Sequence, residues 1–183
     1  MIVNVIKAVE SSNNKYAFRF EEKLYFLHRA SKTNLSKILK RIRMINQCSN
    51  ETALAICSTS WGFYQILGIN IYGVCGYDKS IIDFLKNVDD QEKVFKIFCD
   101  IQRIDLEKTE KELINLTGLV NKNKNSFKSN LDMINFLENE LKDHKEDYLN
   151  LITFIEKYNG AKYLSNSFKD YLLRMITEAK KYK

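Results

Sequence analysis

The chain of 183 residues has no proline and only six glycines, and four of these glycines lie between Gly62 and Gly76. Because proline and glycine interrupt helices, their scarcity favours long helices over most of the chain. Hydrophobic residues make up 45% and charged residues 28% of the sequence, a composition typical of globular rather than disordered proteins. The length fits one domain with a real core, so we predict a single domain over residues 1–183.

The sequence also lacks the usual patterns of metal, disulfide and membrane proteins. No Cys-x-x-Cys pair occurs, and the two histidines, His28 and His144, supply no metal-ligand spacing. We therefore predict no metal and no other cofactor, and expect buried reduced thiols at the four cysteines. No apolar stretch approaches the ~20 residues of a membrane span, and residues 1–7 lack the features of a signal peptide. We expect synthesis in the cytoplasm and no stable membrane insertion.

The net charge of +6 suits an anionic partner such as nucleic acid, a membrane surface or a bacterial cell wall. The basic residues are scattered among acidic ones, and the densest run comprises Lys37, Lys40, Arg41 and Arg43. At helical spacing such a run is most often a solvated helix face. No nucleic-acid-binding signature accompanies it, so we do not predict nucleic acid as a partner.

Near the N-terminus, hydrophobic residues recur at helical spacing from Ile2 to Val9 and end at Glu10. Polar residues at positions 11–14 then predict a helix stop and a loop. Alternating aromatics at Tyr16, Phe18 and Phe20 indicate a strand, which we interpret as one arm of a small β-hairpin near residues 15–27. The glycine-rich stretch from Gly68 to Gly76 resembles a loop.

The stretch of about residues 108–147 is rich in Lys, Glu, Asn and Asp, and a narrow apolar stripe runs through its second half. Two charged helices joined at residues 119–128 would explain this pattern, as an inserted helical hairpin that projects from the core. Such an arm could bind a protein partner. The predicted fold class is mainly α, with the small hairpin and this insertion.

Cleavage of a glycosidic bond requires a carboxylic acid that is protonated near neutral pH, and usually a second carboxylate. A carboxylate at a helix C-terminus among apolar neighbours has its charged form disfavoured, which makes Glu10 the candidate acid. Glu21 is the candidate second carboxylate and Glu22 the alternative. The competing interpretations are an ordinary helix-end glutamate at position 10 and a surface ion pair between Glu21 and Arg19.

Three segments resemble the lysozyme-like superfamily. Glu10-Ser11 resembles its catalytic glutamate at a helix end. Ser60-Trp61-Gly62-Phe63-Tyr64-Gln65 matches the Ser-x-Gly-x-x-Gln element of goose-type lysozymes and lytic transglycosylases, and Tyr158-Asn159-Gly160 resembles their Tyr-Asn element. The resemblance is greatest to phage-type N-acetylmuramidases (endolysins), through Gln65-Ile66, Gly68-Ile69-Asn70, Cys75-Gly76-Tyr77 and Arg19-Phe20-Glu21, the last of which favours Glu21 over Glu22. It covers roughly residues 1–104 and 150–180, and Ser12-Asn13 stand where two glycines are common in the family.

This resemblance implies a lysozyme-like fold and hydrolysis of the β-1,4 bond between N-acetylmuramic acid and N-acetylglucosamine in peptidoglycan. It implies Glu10 as general acid, Glu21 as base or electrostatic stabiliser, and substrate contacts from Ser60, Gly62, Tyr64, Gln65, Tyr158 and Asn159. Phe63 is an alternative to Tyr64 as a platform for sugar stacking, although aromatics at this spacing are more often core residues. Trp61 is expected to pack in the cleft wall.

Two other functions fit the same residues. A lytic transglycosylase needs no second carboxylate, because the hydroxyl of muramic acid itself attacks. A catalytically silent wall-binding module needs neither carboxylate. For a protein that acts on the wall, delivery by a holin or by another export route is expected.

Overall fold

The computed structural model describes residues 1–31 and 35–182, which form two compact units. The terminal unit joins Met1–Val9 to the chain from Gln102 onwards, and the central unit is Glu10–Ile101. The first helix, α1, occupies Ile2–Ser11, so its last two residues belong to the central unit.

Helices dominate both units within the described residues, which confirms the mainly α prediction. The central unit contains α2 (Glu22–Ala30), α3 (Ser36–Asn46), α4 (Asn50–Cys57), α5 (Gly68–Tyr72), α6 (Ile81–Lys86) and α7 (Val88–Ile101). The terminal unit contains α8 (Leu106–Lys122), α9 (Asn130–Asp143), α10 (Leu149–Phe154) and α11 (Asn166–Ala179). Over these same residues, none of the helices is long and apolar enough to cross a membrane.

Several of these helices begin at a side chain that caps them. The hydroxyl of Ser49 accepts a hydrogen bond from the backbone of α4 at 3.1 Å, and Ser80 does the same for α6. Ser129 and Asp132 form a reciprocal capping box at the start of α9. These caps satisfy backbone N–H groups that the first helical turn leaves unpaired, and they explain where the helices start.

A small antiparallel sheet of three strands lies in the central unit, with the order β1 (Phe18–Phe20), β2 (Thr59–Trp61) and β3 (Ile66–Leu67). Arg19 pairs with Ser60, and Ser60 pairs with Leu67. The prediction of a strand at Phe18–Phe20 is therefore right, but the prediction of a hairpin within residues 15–27 is wrong. The chain enters α2 immediately after Glu21, so the partner of β1 comes from a distant segment.

The stretch from Gly68 to Gly76 is also more regular than predicted, because its first half forms α5. Ile71 and Tyr72 of this helix are buried completely. The Tyr72 hydroxyl donates to the backbone oxygen of Lys79 at 3.2 Å and hydrogen-bonds with Asn46 of α3. Burial of its apolar side chains stabilises α5 although its first residue is glycine.

The charged segment of residues 108–147 does form two helices, but it does not project from the core. Within the terminal unit α8 packs against α10 and α11, and α9 contacts α11. Leu113, Leu116 and Val120 of α8 are fully buried, and Leu141 of α9 is only 1% exposed. In the predicted apolar stripe of α9, Leu137 and Leu141 are buried, whereas Leu131 at the start of the helix is 63% exposed.

Candidate functional site

The candidate acid Glu10 is the next-to-last residue of α1 and is half-buried. The apolar face of α1 ends with Val9, which is 3% exposed. Beyond Ser11 the chain leaves the helix through Ser12 and Asn13, whose φ angles are 53° and 62°. These are left-handed conformations that favour glycine. The two residues that stand in place of the family's glycines therefore keep a glycine-like backbone.

A short chain of backbone hydrogen bonds connects the end of α1 to the sheet. Asn14 donates to the Ser11 oxygen at 3.0 Å, and Ala17 donates to the Asn14 oxygen at 3.1 Å. The oxygen of Ala17 in turn accepts from the backbone of Gly62 at 2.8 Å. The turns after Glu10 are thereby fixed to the Gly62 segment, although the two are far apart in sequence.

Glu21 directly follows β1, and its backbone N–H donates to the Ser58 oxygen at 3.0 Å. Its carboxylate accepts from the Arg19 Nε at 2.6 Å. The side chain of Glu21 is 31% exposed and that of Arg19 64% exposed. Glu22 is exposed in the first turn of α2. The ion pair considered as the alternative role of Glu21 is present, and it holds this carboxylate at the edge of the sheet.

The segment Gly62–Gln65 forms the tight turn that joins β2 to β3. The φ angle of Gly62 is +75° and that of Gln65 is 47°. The Gln65 side chain donates from Nε2 to the Gly62 oxygen at 2.9 Å and closes the turn. Among the described residues its Oε1 has no partner, so this oxygen is the group of Gln65 that remains for a ligand.

A residue that the sequence analysis did not single out, Gln91 of α7, holds this turn in place. Its side chain is completely buried. Its Oε1 accepts from the backbone of Phe63 at 2.7 Å. Its Nε2 lies 3.1 Å to 3.2 Å from the backbone oxygens of Lys15, Phe84 and Leu85. One amide therefore joins the turn, the loop after α1 and the end of α6.

Gly62 leaves room for this contact with Gln91, and the close approach of a sugar to its backbone stays a prediction. A Cβ atom at position 62 would lie 2.3 Å from the Oε1 of Gln91 and 3.2 Å from the Phe84 ring. The predicted need for a small residue is real, but the group that occupies the space is a protein side chain. The signal for Gln91 was a polar residue on the same helix face as Val94, Phe95 and Phe98, all of which are buried.

The other members of the Ser60–Gln65 element differ in how much of them a substrate could reach. Ser60 is 2% exposed and lies in the middle strand of the sheet. Tyr64 is 1% exposed, and its ring stacks on Phe95 with the ring centres 4.2 Å apart. Phe63 is only partly buried. Tyr64 is thus a core residue, and Phe63 is the aromatic of this pair that a sugar could contact.

Trp61 packs in the way expected of a wall residue. Its indole Nε1 donates to the Ile56 oxygen at 3.0 Å, and its ring lies 6.0 Å from that of Phe18 across the β1–β2 pair. Because Phe18 is 69% exposed, this strand presents an aromatic side chain to solvent. An exposed aromatic ring on a sheet is a surface on which a sugar ring can stack.

Tyr158 and Asn159 belong to the terminal unit, where Ile155–Asn159 form a single π-helical turn. The ring of Tyr158 stacks on Phe154 with the centroids 4.9 Å apart, and Asn159 is exposed. Gly160 ends the turn with a φ angle of 75°. Single π-helical turns within helices occur frequently at functional sites, so the irregular backbone supports a binding role for this element.

The described residues contain no group of three or more His, Cys, Asp or Glu side chains that could hold a metal ion. Cys57 and Cys99 are buried, and burial raises the pKa of each thiol to about 12. Thiols with raised pKa values are poor nucleophiles at neutral pH. Cys57 and Cys99 are therefore poor candidates for a nucleophile.

Comparison with known proteins identifies a relative and a family for this chain. Over 96 residues the chain is 35% identical to an endolysin of Enterobacteria phage PRD1, a match that covers 52% of this chain and 64% of that endolysin. The match thus spans less than two thirds of the length of this relative. No solved structure matches the chain. The sequence model of the N-acetylmuramidase family matches residues 3–183 and so extends through both units, and the chain belongs to this family.

Proposed function

We propose that the protein is a peptidoglycan hydrolase that cleaves the β-1,4 bond between N-acetylmuramic acid and N-acetylglucosamine. The observation that carries this proposal is the arrangement around the sheet. Hydrogen bonds connect the loop after Glu10 to the Gly62 turn. Glu21 follows β1, which pairs with the strand β2 that leads into the same turn. Membership in the N-acetylmuramidase family supports the same reaction.

In this proposal Glu10 donates a proton to the leaving glycosidic oxygen as the C1–O bond breaks. Glu21 either activates the attacking water or stabilises the positive charge that develops on the sugar. Arg19 fixes the carboxylate of Glu21, because its Nε lies 2.6 Å away. In the central unit, the Oε1 of Gln65 and the rings of Phe63 and Phe18 would hold the glycan. Glycan contacts from Tyr158 and Asn159 of the terminal unit stay a prediction. Ser60 acts from within the sheet by orienting its neighbours, since it is 2% exposed.

The test is digestion of purified peptidoglycan by the wild type and by Glu10→Gln, with mass spectrometry of the soluble products. We expect reducing muramic-acid ends from the wild type and a loss of at least about 100-fold in rate for Glu10→Gln, since general acid catalysis typically contributes 10²–10⁴. Circular dichroism controls for folding. If a folded Glu10→Gln protein kept full activity, Glu10 would not be the acid. An absence of products from both proteins would favour a wall-binding module.

One observation favours a second candidate, a lytic transglycosylase. The carboxylate of Glu21 is already engaged by Arg19, and a transglycosylase requires no second carboxylate. Glu21→Gln separates the two functions, with Glu22→Gln as the matched control. A hydrolase should lose activity only in Glu21→Gln, whereas a transglycosylase should tolerate both changes and release products with anhydro ends.

For a protein of this function the substrate lies outside the cytoplasm. We propose that the chain reaches the cell wall through a holin or another export route. Expression in bacteria with and without a co-expressed holin tests this, and lysis should depend on the holin. A protein partner at residues 108–147 stays a prediction, which pull-down with variants of the exposed charges in α8 and α9 can test.

A further inference from the structure

A cavity of ≈ 680 Å³ lies in the central unit between α2, α3 and α4. Arg29, Lys40 and Arg43 line it, and Glu51 is the one carboxylate among its described lining residues. With His28 neutral, the lining therefore carries two net positive charges. Neither Arg29 nor Lys40 forms an ion pair with any residue that the structure describes. Two exposed cations without acidic partners in one concave surface are suited to bind carboxylates.

The remaining polar groups of the cavity are oriented by hydrogen bonds. The Nη1 of Arg43 donates to the Oδ1 of Asn50 at 3.1 Å. The carboxylate of Glu51 accepts from the Tyr25 hydroxyl at 2.8 Å. At the end of α2, the Nδ1 of His28 lies 2.8 Å from the Ser58 hydroxyl. Arg43, Glu51 and His28 are therefore oriented by hydrogen bonds, each on a different one of the three helices.

The mixture of charges selects among anionic ligands. The cations would attract a polyphosphate or a nucleic acid, but the carboxylate of Glu51 would repel the phosphates beside it. A peptide that carries free carboxylates together with a free amine matches both kinds of charge. In peptidoglycan such a peptide is attached to the lactyl group of N-acetylmuramic acid.

The distance between the cavity and Glu21 also fits. Helix α2 begins at Glu22 and has nine residues, which corresponds to about 13 Å. Its first residue follows Glu21, and its last turn lines the cavity. A tetrapeptide in extended form spans roughly 13–14 Å. A peptide that starts on a sugar beside Glu21 would therefore reach Arg29.

We propose that this cavity binds the acidic stem peptide of peptidoglycan, with Arg29, Lys40 and Arg43 on its carboxylates and Glu51 on its amine. The proposal rests on the proposed glycosidase function, and it adds that the enzyme recognises the peptide as well as the glycan. A muramidase with this feature prefers peptide-bearing strands over bare glycan.

The experiment compares two substrates, intact peptidoglycan and glycan strands from which an amidase has removed the stem peptides. The variant Arg29→Gln/Lys40→Gln removes the two cations of the cavity that form neither an ion pair nor a side-chain hydrogen bond with the described residues, and it leaves Arg43 on Asn50. The control Lys23→Gln/Lys37→Gln removes the same charge from the same two helices at exposed positions outside the cavity. We expect the first variant to lose about three- to tenfold in kcat/KM on peptide-bearing strands only, and the control to match the wild type on both substrates.

Binding of the free tetrapeptide, alanyl-glutamyl-diaminopimelyl-alanine, to the intact protein is measured in parallel by NMR titration. We expect shifts at the cavity residues, and loss of these shifts in the first variant. An equal effect of the variant on both substrates, or inorganic phosphate binding as tightly as the peptide, would overturn the proposal. If neither substrate is cleaved by the wild type, the proposed function fails, and the titration still decides whether the peptide binds.

Discussion

The side chain of Gln91 gives the sharpest test of how the Ser60–Gln65 element is built. Substitution by leucine keeps a similar volume and removes the amide. The N–H of Phe63 then loses its acceptor at 2.7 Å in a fully buried position. An orphaned buried donor costs about 1–3 kcal/mol. The two amide protons of Gln91 can serve two of the three nearby carbonyls at a time, and each lost bond costs about 1 kcal/mol.

After allowance for the apolar gain of leucine, we expect Gln91→Leu to reduce the free energy of unfolding by about 3 kcal/mol. For a chain of this length that lowers the melting temperature by about 6–12 °C. The assay is urea unfolding followed by tryptophan fluorescence. Trp61 is the only tryptophan in the sequence and lies in β2, so the signal reports on the central unit.

Lys93→Leu is the matched control, because Lys93 lies on the same helix and is exposed. A surface substitution of this kind changes stability by only about 0.5 kcal/mol. If Gln91→Leu unfolds within about 0.5 kcal/mol of the wild type, Gln91 does not hold the turn. The account of Gly62 as a contact site for Gln91 would then fail with it.

Three further predictions concern backbone conformation and charge. Gly62→Ala should lower the free energy of unfolding by about 2–4 kcal/mol, because it places a residue with a Cβ in a left-handed conformation and that Cβ would lie 2.3 Å from the Oε1 of Gln91. An unchanged midpoint in the same urea assay would contradict this prediction. Ser12→Gly should stabilise the protein by about 0.5–1 kcal/mol because it relieves a left-handed serine, and a loss of stability in thermal unfolding would refute this. The hydrogen bond from Lys79 has the largest effect on Asp90 and lowers the pKa of its carboxyl below the ordinary value of 3.8. Burial opposes this effect, and the hydrogen bond from Tyr77 adds a smaller lowering. A lowered carboxyl pKa contributes stability that is present above pH 4 and is lost as the pH falls through the folded pKa. In acid unfolding the wild type should therefore lose about 1 kcal/mol more stability than Asp90→Asn between pH 5 and pH 2. Parallel stability curves for the two proteins would exclude the effect.

Local sequence patterns were sufficient for several helices of this protein, although not for α5. The stripe from Ile2 to Val9 predicted α1 and its end near Glu10. These features depend on residues within one or two turns of each other, so the sequence contains all the relevant contacts. The small sheet was a different problem, because the partner of Phe18–Phe20 lies some 40 residues away at Thr59–Trp61. No periodicity in residues 15–27 could have distinguished that partner from an adjacent hairpin strand.

The candidate site divides in the same way. Glu10, Glu21 and the Gly62 turn were proposed as site residues from their local motifs. The ion pair of Glu21 with Arg19 was also accessible, since the two residues are only two positions apart in the sequence. Gln91 was missed because its importance comes from backbone groups at Lys15, Phe63 and Phe84, which only the folded chain brings together. A core position for the aromatics of this element was the favoured interpretation, but the choice of Tyr64 over Phe63 depends on Phe95 of α7, on which Tyr64 stacks.

The roles within the Ser60–Gln65 element follow from these contacts. Gly62 accommodates Gln91, Gln65 closes its own turn, and Tyr64 packs in the core. Most of this element therefore has an architectural task, which is to hold β2 against β1 and to fix the loop after Glu10. In the proposed mechanism, the chemistry is left to the two flanking carboxylates, Glu10 and Glu21. On this view, variants of the turn should reduce stability and activity together, whereas Glu10→Gln should abolish activity in a protein that remains folded.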